Sequence, residues 1–204
     1  MVSLQIVFWA MVIFFSLIGY LRGWQREVLA LAGLIGSLAA LSQFGYEFVL
    51  GMNALLGGGP DSQAIDFFAL RRQQFWVQAI FHSTIAFFSY QVVARIANQA
   101  LGGRLGDRLR AGLEKRVVGA MLGAINGYLF MGGLWGFLEY ELTQTGYVRL
   151  PEGVPYAFDP TVIARPIGDA SAAILNYLPL GIISPTWWLI LFFIAFFVVI
   201  IALI

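Results

Sequence analysis

The chain has 204 residues, of which 60% are hydrophobic, 16% aromatic and 11% charged. A typical soluble domain is about 25% charged, so this chain has too little polar surface to enclose a water-soluble core. The formal net charge of +1 argues against a general nucleic-acid-binding protein. The chain contains no cysteine, which excludes disulfides, thiolate metal sites and cysteine catalysis. We therefore expect an integral membrane protein built from helices.

Five apolar runs along the chain predict five membrane-spanning helices and an all-α, polytopic fold. They occupy residues 2–20, 28–46, 73–94, 117–138 and 184–204. No Lys or Arg precedes Arg22, in contrast to a signal peptide, so the first run is predicted to be a retained span. Ser184 followed by Pro185 is a good start signal for the last helix.

The stretch 139–183 contains no run long enough to cross a bilayer and carries five of the seven prolines. It predicts an extracytoplasmic loop with one short surface helix at residues 169–178, capped by Asp169. Glu152 and Asp159 are interpreted as loop polarity. The predicted organisation is thus a four-helix core at 1–138, this loop, and a fifth helix at 184–204.

The distribution of Lys and Arg predicts the orientation. If the N-terminus is outside, eight of the 12 basic residues fall on the cytoplasmic side and four on the opposite side. This asymmetry agrees with the positive-inside rule and predicts an N-out, C-in protein.

The segment 104–116 predicts a short basic amphipathic helix, because Leu105, Leu109 and Leu113 would share one face. Its basic residues are Arg104, Arg108, Arg110, Lys115 and Arg116. Such a helix is suited to lie on an anionic cytoplasmic leaflet; an ordinary solvated connection is the alternative. No aromatic residues interleave with the basic ones, which argues against nucleic-acid binding here.

Small residues in two spans predict close helix packing. Gly119, Gly123 and Gly127 recur every four residues in the fourth span, and Gly33 and Gly36 lie in the second. Such spacing lets a neighbouring backbone approach closely in lipid, although Gly is also simply common in transmembrane helices. The partner is expected to be another span or another subunit.

The last span is bulky, with paired Trp187 and Trp188 at its start and four Phe residues after them. The tryptophans suit the headgroup region. The helix is expected to face lipid or a second protein rather than form a tight internal crossing.

No Asp, Glu, Lys or Arg lies within the five apolar runs, which disfavours ion-coupled transport. No catalytic constellation is present, so no enzyme is predicted. His82, in the third run, is a candidate pigment or haem ligand, metal ligand or gating residue. A lone His without a second ligand one turn away is poor evidence for a metal, and a neutral imidazole bonded to a neighbouring helix is the simpler interpretation. No cofactor is predicted unless the chain is a subunit of a cofactor-bearing complex.

The turn between the first two spans carries a recognisable motif. Residues 19–31 are GYLRGWQREVLAL and contain Arg22, Gly23, Arg26 and Glu27. This resembles the signature of the CvpA family, the colicin V production proteins of bacterial inner membranes, in which a first helix ends in R-G-x-x-R-E. The start of the fourth span resembles the family's D-R-V-L-G-x-x-F-G-x-x-R-G less closely, since Lys115 replaces the Asp, Leu122 the aromatic residue and Asn126 the Arg.

The resemblance covers roughly residues 1–138 and implies a four-span core in the bacterial inner membrane, linked to bacteriocin production and envelope physiology, without an established biochemical activity. The motif has a structural explanation. Arg22 and Glu27 each complement the helix end they occupy, and Gly23 permits the reversal between them. A site for lipid headgroups or a partner protein at this turn is the alternative.

Three functional hypotheses follow. The first is a non-enzymatic protein that packs with other membrane components. The second is an accessory subunit of a large photosynthetic or respiratory complex, and the third is an oligomeric channel or exporter. The expected partners are the lipid bilayer and other membrane proteins, nucleic acid is not expected, and a homo-oligomer is left open.

Overall fold

The computed structural model describes residues 3–55, 67–100, 113–166 and 170–203. The four longest helices are α1 Leu4–Arg22, α2 Trp24–Leu55, α3 Phe67–Ala100 and α4 Leu113–Glu139. After them come a hairpin of β1 Tyr140–Thr143 and β2 Gly146–Arg149, the short helices α5 Ala170–Leu175 and α6 Pro179–Ile182, and α7 Pro185–Leu203.

The fold class is confirmed in its coarse form: the protein is mostly helical and carries membrane-spanning candidates. Among the described residues, α1, α2 and α4 are long and apolar enough to cross a membrane. In α7, the stretch Pro185–Ile201 is apolar but shorter.

Helices α1 and α4 are antiparallel and cross closely. Gly19 lies against the backbone of Gly119, and the next contact along α4 is between Gly123 and Phe15. A Cβ built on Gly123 would lie 3.0 Å from the carbonyl carbon of Phe15, and one built on Gly127 would lie 2.9 Å from the Cα of Val12. The small-residue face of α4 therefore packs on α1 of the same chain.

The glycines of α2 contact two different helices. A Cβ on Gly33 would lie 2.6 Å from the Cβ of Ser89 in α3, and one on Gly36 would lie 3.1 Å from the ring of Phe192 in α7. Helix α2 is thus packed between α3 and α7 at this level.

The expected placement of the last helix needs correction, because one of its faces is internal. Trp188 is 1% exposed and Phe192 packs on Gly36, whereas Trp187, Phe193 and other residues of the opposite face are exposed. The small residues that admit this helix are on α2 and not on α7, so its own bulky sequence gave no sign of the crossing.

Helix α3 has an inverted polarity. Its buried polar residues recur at helical spacing: Arg71, Gln74, Gln78, His82 and Ser89. Its exposed large side chains are apolar and include Trp76, Ile80, Phe87 and Phe88. A helix in water places these two classes the other way round; apolar outer surfaces are expected where lipid is the solvent.

The segment 139–183, here called the cap, is more ordered than the predicted loop. Its hairpin is antiparallel, with Tyr140 opposite Arg149, and α5 replaces the predicted 169–178 helix, while Asp169 lies outside the described residues. Leu142, Leu178 and Leu180 are buried in the common core. Tyr140 and Leu142, alternate residues of β1, are buried, so one face of the hairpin packs against the helices. The cap therefore closes one end of the bundle.

Side chains of α3 complete the free edge of β1. The guanidinium of Arg71 donates to the carbonyl oxygen of Tyr140 in β1 and to that of Leu138 in the last turn of α4, at 3.0 Å each. The amide of Gln74 donates to the carbonyl oxygen of Leu142 in β1 at 3.2 Å. Strand carbonyls that no neighbouring strand pairs need such partners when they are buried. This accounts for two of the buried polar residues of α3.

Candidate functional site at the turn between α1 and α2

The motif turn has the geometry that its sequence predicts. Arg22 is the last residue of α1, and Glu27 lies in the first turn of α2. Between them Gly23 adopts a φ of +82° and donates its N–H to the carbonyl of Gly19 at 2.9 Å. This left-handed conformation favours glycine, because a Cβ would be strained there.

Glu27 is the centre of a buried network that joins the first four helices. Its carboxylate is 0% exposed and accepts hydrogen bonds from Arg22 of α1 at 3.2 Å, Tyr90 of α3 at 3.0 Å and Asn126 of α4 at 2.9 Å. The Asn126 amide also donates to the backbone carbonyl of Glu27 at 3.1 Å. Since each helix contributes one residue, we call this group the motif network.

Arg22 strengthens the network from a second side. Its other terminal nitrogen donates to the carbonyl of Tyr90 at 2.9 Å, and its guanidinium carbon lies 4.6 Å from the centre of the Tyr90 ring. A buried carboxylate is stable only when a partner charge and hydrogen bonds replace its hydration. The motif network supplies both, so its arrangement fixes helices together and leaves Glu27 enclosed rather than presented to a substrate.

Sequence reasoning found Arg22 and Glu27 but missed two of their partners. Asn126 carried a signal, because it stands in the second motif where the family has Arg, yet nothing in the sequence linked it to Glu27. Tyr90 is one aromatic residue among many in the third run. The apolar runs contain no charged residue, but the packed bundle buries Glu27, Arg71 and Glu139 at their edges.

His82 lies in the middle of the bundle and is 0% exposed. Its Nδ1 is 2.6 Å from the hydroxyl oxygen of Ser37 in α2, and its ring stacks on Phe130 at 5.6 Å. On the far side, a Cβ on Gly133 would lie 3.1 Å from Nε2. The ring is therefore held between three helices, and a pigment or haem at His82 stays a prediction tied to the complex-subunit hypothesis.

Three more of the predicted site residues, Arg26, Lys115 and Arg116, lie at the end of the bundle that carries the motif turn. Arg26 is half-buried in the first turn of α2. Lys115 and Arg116 are exposed in the first turn of α4, which begins at Leu113 rather than after Arg116 as predicted. Arg104, Arg108 and Arg110 lie outside the described residues.

A second buried carboxylate organises the cap. Glu139, the last residue of α4, is 0% exposed and accepts hydrogen bonds from Arg149 at 2.9 Å, from Arg165 at 2.6 and 3.0 Å, and from Tyr156 at 3.0 Å. The hydrogen bond to Glu139 raises the pKa of Arg165, and burial raises the pKa of Tyr156. Arg165 also donates to carbonyl oxygens of the cap, including that of Val154 at 2.9 Å.

The sequence did not reveal this second cluster. The sequence predicts Glu139 at the start of a loop and its arginine partners on the side opposite the cytoplasm, with no pattern that links them. Ten and 26 residues separate Glu139 from its two arginine partners, so no local spacing could have identified them. Through these hydrogen bonds to Glu139, the cluster attaches the cap to the end of α4.

Among the described residues, no group of three or more His, Cys, Asp or Glu side chains could hold a metal ion. No curated protein and no solved structure matches the chain. The model of the family described as colicin V production protein matches residues 4–146, which include the motif turn, all four long helices and β1. The chain therefore belongs to the colicin V production protein family and is a membrane protein.

Proposed function

We propose that the protein is a non-enzymatic, multi-pass inner-membrane protein that acts by packing its helices against other membrane components. The observation that carries this proposal is the contrast between its interior and its outer surface. In the interior, the carboxylate of Glu27 accepts hydrogen bonds within the motif network and that of Glu139 accepts them within the cap. The outer faces of the helices are apolar, with Met121 63% and Phe197 60% exposed. Such faces require lipid or another protein.

Five spans agree with the packing of the helices. Helix α3 has polar residues inside and apolar residues outside. It contacts both α2 and α4 and is antiparallel to each of them. Helix α7 is antiparallel to α2, because Pro185 is near Gln43 and Phe192 is near Gly36. Mean hydropathy misses α3 because its polar residues face other helices, where they need no water.

The N-out, C-in orientation is supported by how the basic residues at each end are used. At the cap end, four arginines donate to backbone carbonyls or to Glu139: Arg71, Arg72, Arg149 and Arg165. At the other end Lys115 and Arg116 are exposed. Cytoplasmic segments carry an excess of Lys and Arg, so we assign the end with Lys115 and Arg116 to the cytoplasm.

Cysteine labelling tests the orientation. In intact cells, Glu152→Cys should react with an impermeant thiol reagent, and Lys115→Cys should react only after the membrane is opened. Both positions are exposed, so accessibility to water is matched. External labelling of Lys115→Cys would show that the orientation is inverted.

A photocrosslinking amino acid at Phe197 tests the packing role, with Ile13 on α1 as a matched exposed apolar position. We expect a discrete protein adduct at Phe197 that also co-purifies in mild detergent. Adducts to lipid alone at both positions would refute the role. A fixed stoichiometry with pigment-bearing or cytochrome-bearing chains would instead identify an accessory subunit, and solute flux in reconstituted vesicles would identify a channel or exporter.

A further inference from the structure

The outer corner where α1 ends and α4 begins combines exposed positive charge with an aromatic ring. The guanidinium carbon of Arg116 lies 5.8 Å from the centre of the Tyr20 ring, and Lys115 beside it is exposed. The contact of Gly19 with Gly119 holds the two helix ends together. This corner, consisting of Tyr20, Lys115 and Arg116, is here called the basic corner.

Among the described residues around it, the positive charge of the basic corner is not cancelled. Arg22 is paired with Glu27 in the motif network, at 3.2 Å, so that pair adds no net charge. The one acidic residue in the first turn of α4 is Glu114, which is exposed. Lys115 and Arg116 outweigh it, and an anion is favoured at this place.

An exposed apolar surface begins directly beside the basic corner. On α1, Leu17 is 60% exposed, and on α4, Val117 and Met121 are 48% and 63% exposed. These positions lie within about two helical turns of the charged residues, or about 10 Å along each helix. A cationic end followed by an apolar surface complements an anionic phospholipid, in which a negative headgroup is followed by acyl chains.

We propose that the basic corner binds one anionic phospholipid of the phosphatidylglycerol type. Its phosphate lies between Lys115 and Arg116, and its acyl chains follow Leu17 and Met121. A free phosphate would use only the charged part of this surface, whereas a phospholipid uses both parts. The proposal rests on the protein being in a membrane and does not depend on the proposed packing role.

Native mass spectrometry of the detergent-purified protein tests this proposal with phosphatidylglycerol and phosphatidylcholine of equal chain length. The wild type should retain phosphatidylglycerol preferentially. Each basic group contributes about 1 kcal/mol near an anionic headgroup, so the double variant Lys115→Gln, Arg116→Gln should retain it about thirtyfold less. Arg72→Gln is the matched control, because Arg72 is an exposed arginine near the cap, and its retention should equal that of the wild type.

Glu114→Gln keeps the test decisive if the double variant folds poorly, because removing the one acidic side chain should increase retention about fivefold. Equal retention of both lipids by the wild type, or an equal loss in Arg72→Gln, would overturn the proposal. Displacement of the lipid by millimolar inorganic phosphate would also overturn it, since it would identify a site for free anions.

Discussion

Replacing Gly123 with Ala should separate α1 from α4. The added Cβ would overlap the carbonyl oxygen of Phe15 and lie 3.0 Å from its carbonyl carbon and 3.1 Å from the Cα of Gly19. All of these atoms belong to backbone, so no side chain can rotate away and the helices must move apart. Overpacking costs about 1–3 kcal/mol. Because the contacted atoms are backbone, we expect a cost at the upper end, about 3 kcal/mol.

Alanine also has a higher helix propensity than glycine, by about 1 kcal/mol, which opposes the clash. The net expectation for Gly123→Ala is therefore a loss of about 2 kcal/mol in the free energy of unfolding. Gly51→Ala is the matched control, because Gly51 is a helical glycine in α2 with no atom within 4 Å of an added Cβ. That variant should gain up to about 1 kcal/mol.

The assay is unfolding by sodium dodecyl sulfate in mixed micelles, with circular dichroism and tryptophan fluorescence as the probes. Gly123→Ala should unfold at a lower detergent fraction than the wild type, and Gly51→Ala at an equal or higher one. If both variants shift by the same amount, the reasoning about the crossing is refuted, because propensity alone would then explain the data.

Three further predictions concern the two buried networks. Glu139→Gln should cost about 3 kcal/mol, because it leaves a buried guanidinium without its carboxylate, whereas the exposed Glu152→Gln should leave the thermal midpoint unchanged. Because burial raises the pKa of Tyr156 above its ordinary 10.0, the folded cap holds this proton more tightly than the unfolded chain. The stability of the cap should therefore be complete below about pH 10 and fall as pH rises further. The part of the tyrosinate absorbance that is lost in Tyr156→Phe should appear only as the cap unfolds. Asn126→Leu removes a donor to Glu27 and should cost about 2 kcal/mol; in a Glu27→Gln background the cost should shrink, and full additivity in this double-mutant cycle would contradict direct coupling.

Much of the helical framework follows from local patterns. The start of α7 at Pro185, the end of α1 at Arg22, the position of Glu27 near the start of α2 and the reversal at Gly23 are visible in the sequence. Each depends on a residue and its immediate neighbours, through capping, dipole interactions or backbone conformation. Family membership is also apparent from the motif, because it too is local.

The observed helices extend beyond the predicted runs, since hydropathy registers the width of the apolar layer and not the hydrogen-bonded helix. Helix α2 continues to Leu55 and α3 to Ala100, nine and six residues past the ends of their apolar runs at 46 and 94. A helix persists into polar sequence as long as its residues tolerate helical backbone angles. Apolar length therefore predicts that a span exists better than it predicts where the helix ends.

By itself, the sequence determined that lipid surrounds most of this protein, that the protein is helical, and where the α1–α2 turn lies. Composition and local spacing suffice for these features, because none of them requires a contact between distant residues. Only the tertiary structure decided which polar residues meet: Glu27 with Tyr90 and Asn126 across 63 and 99 positions, and Glu139 with Arg165 across 26. It also decided that α3 turns its polar side inward and that α7 has a buried face. Partners at such separations are brought together by helix packing, and no periodicity along a single segment encodes them.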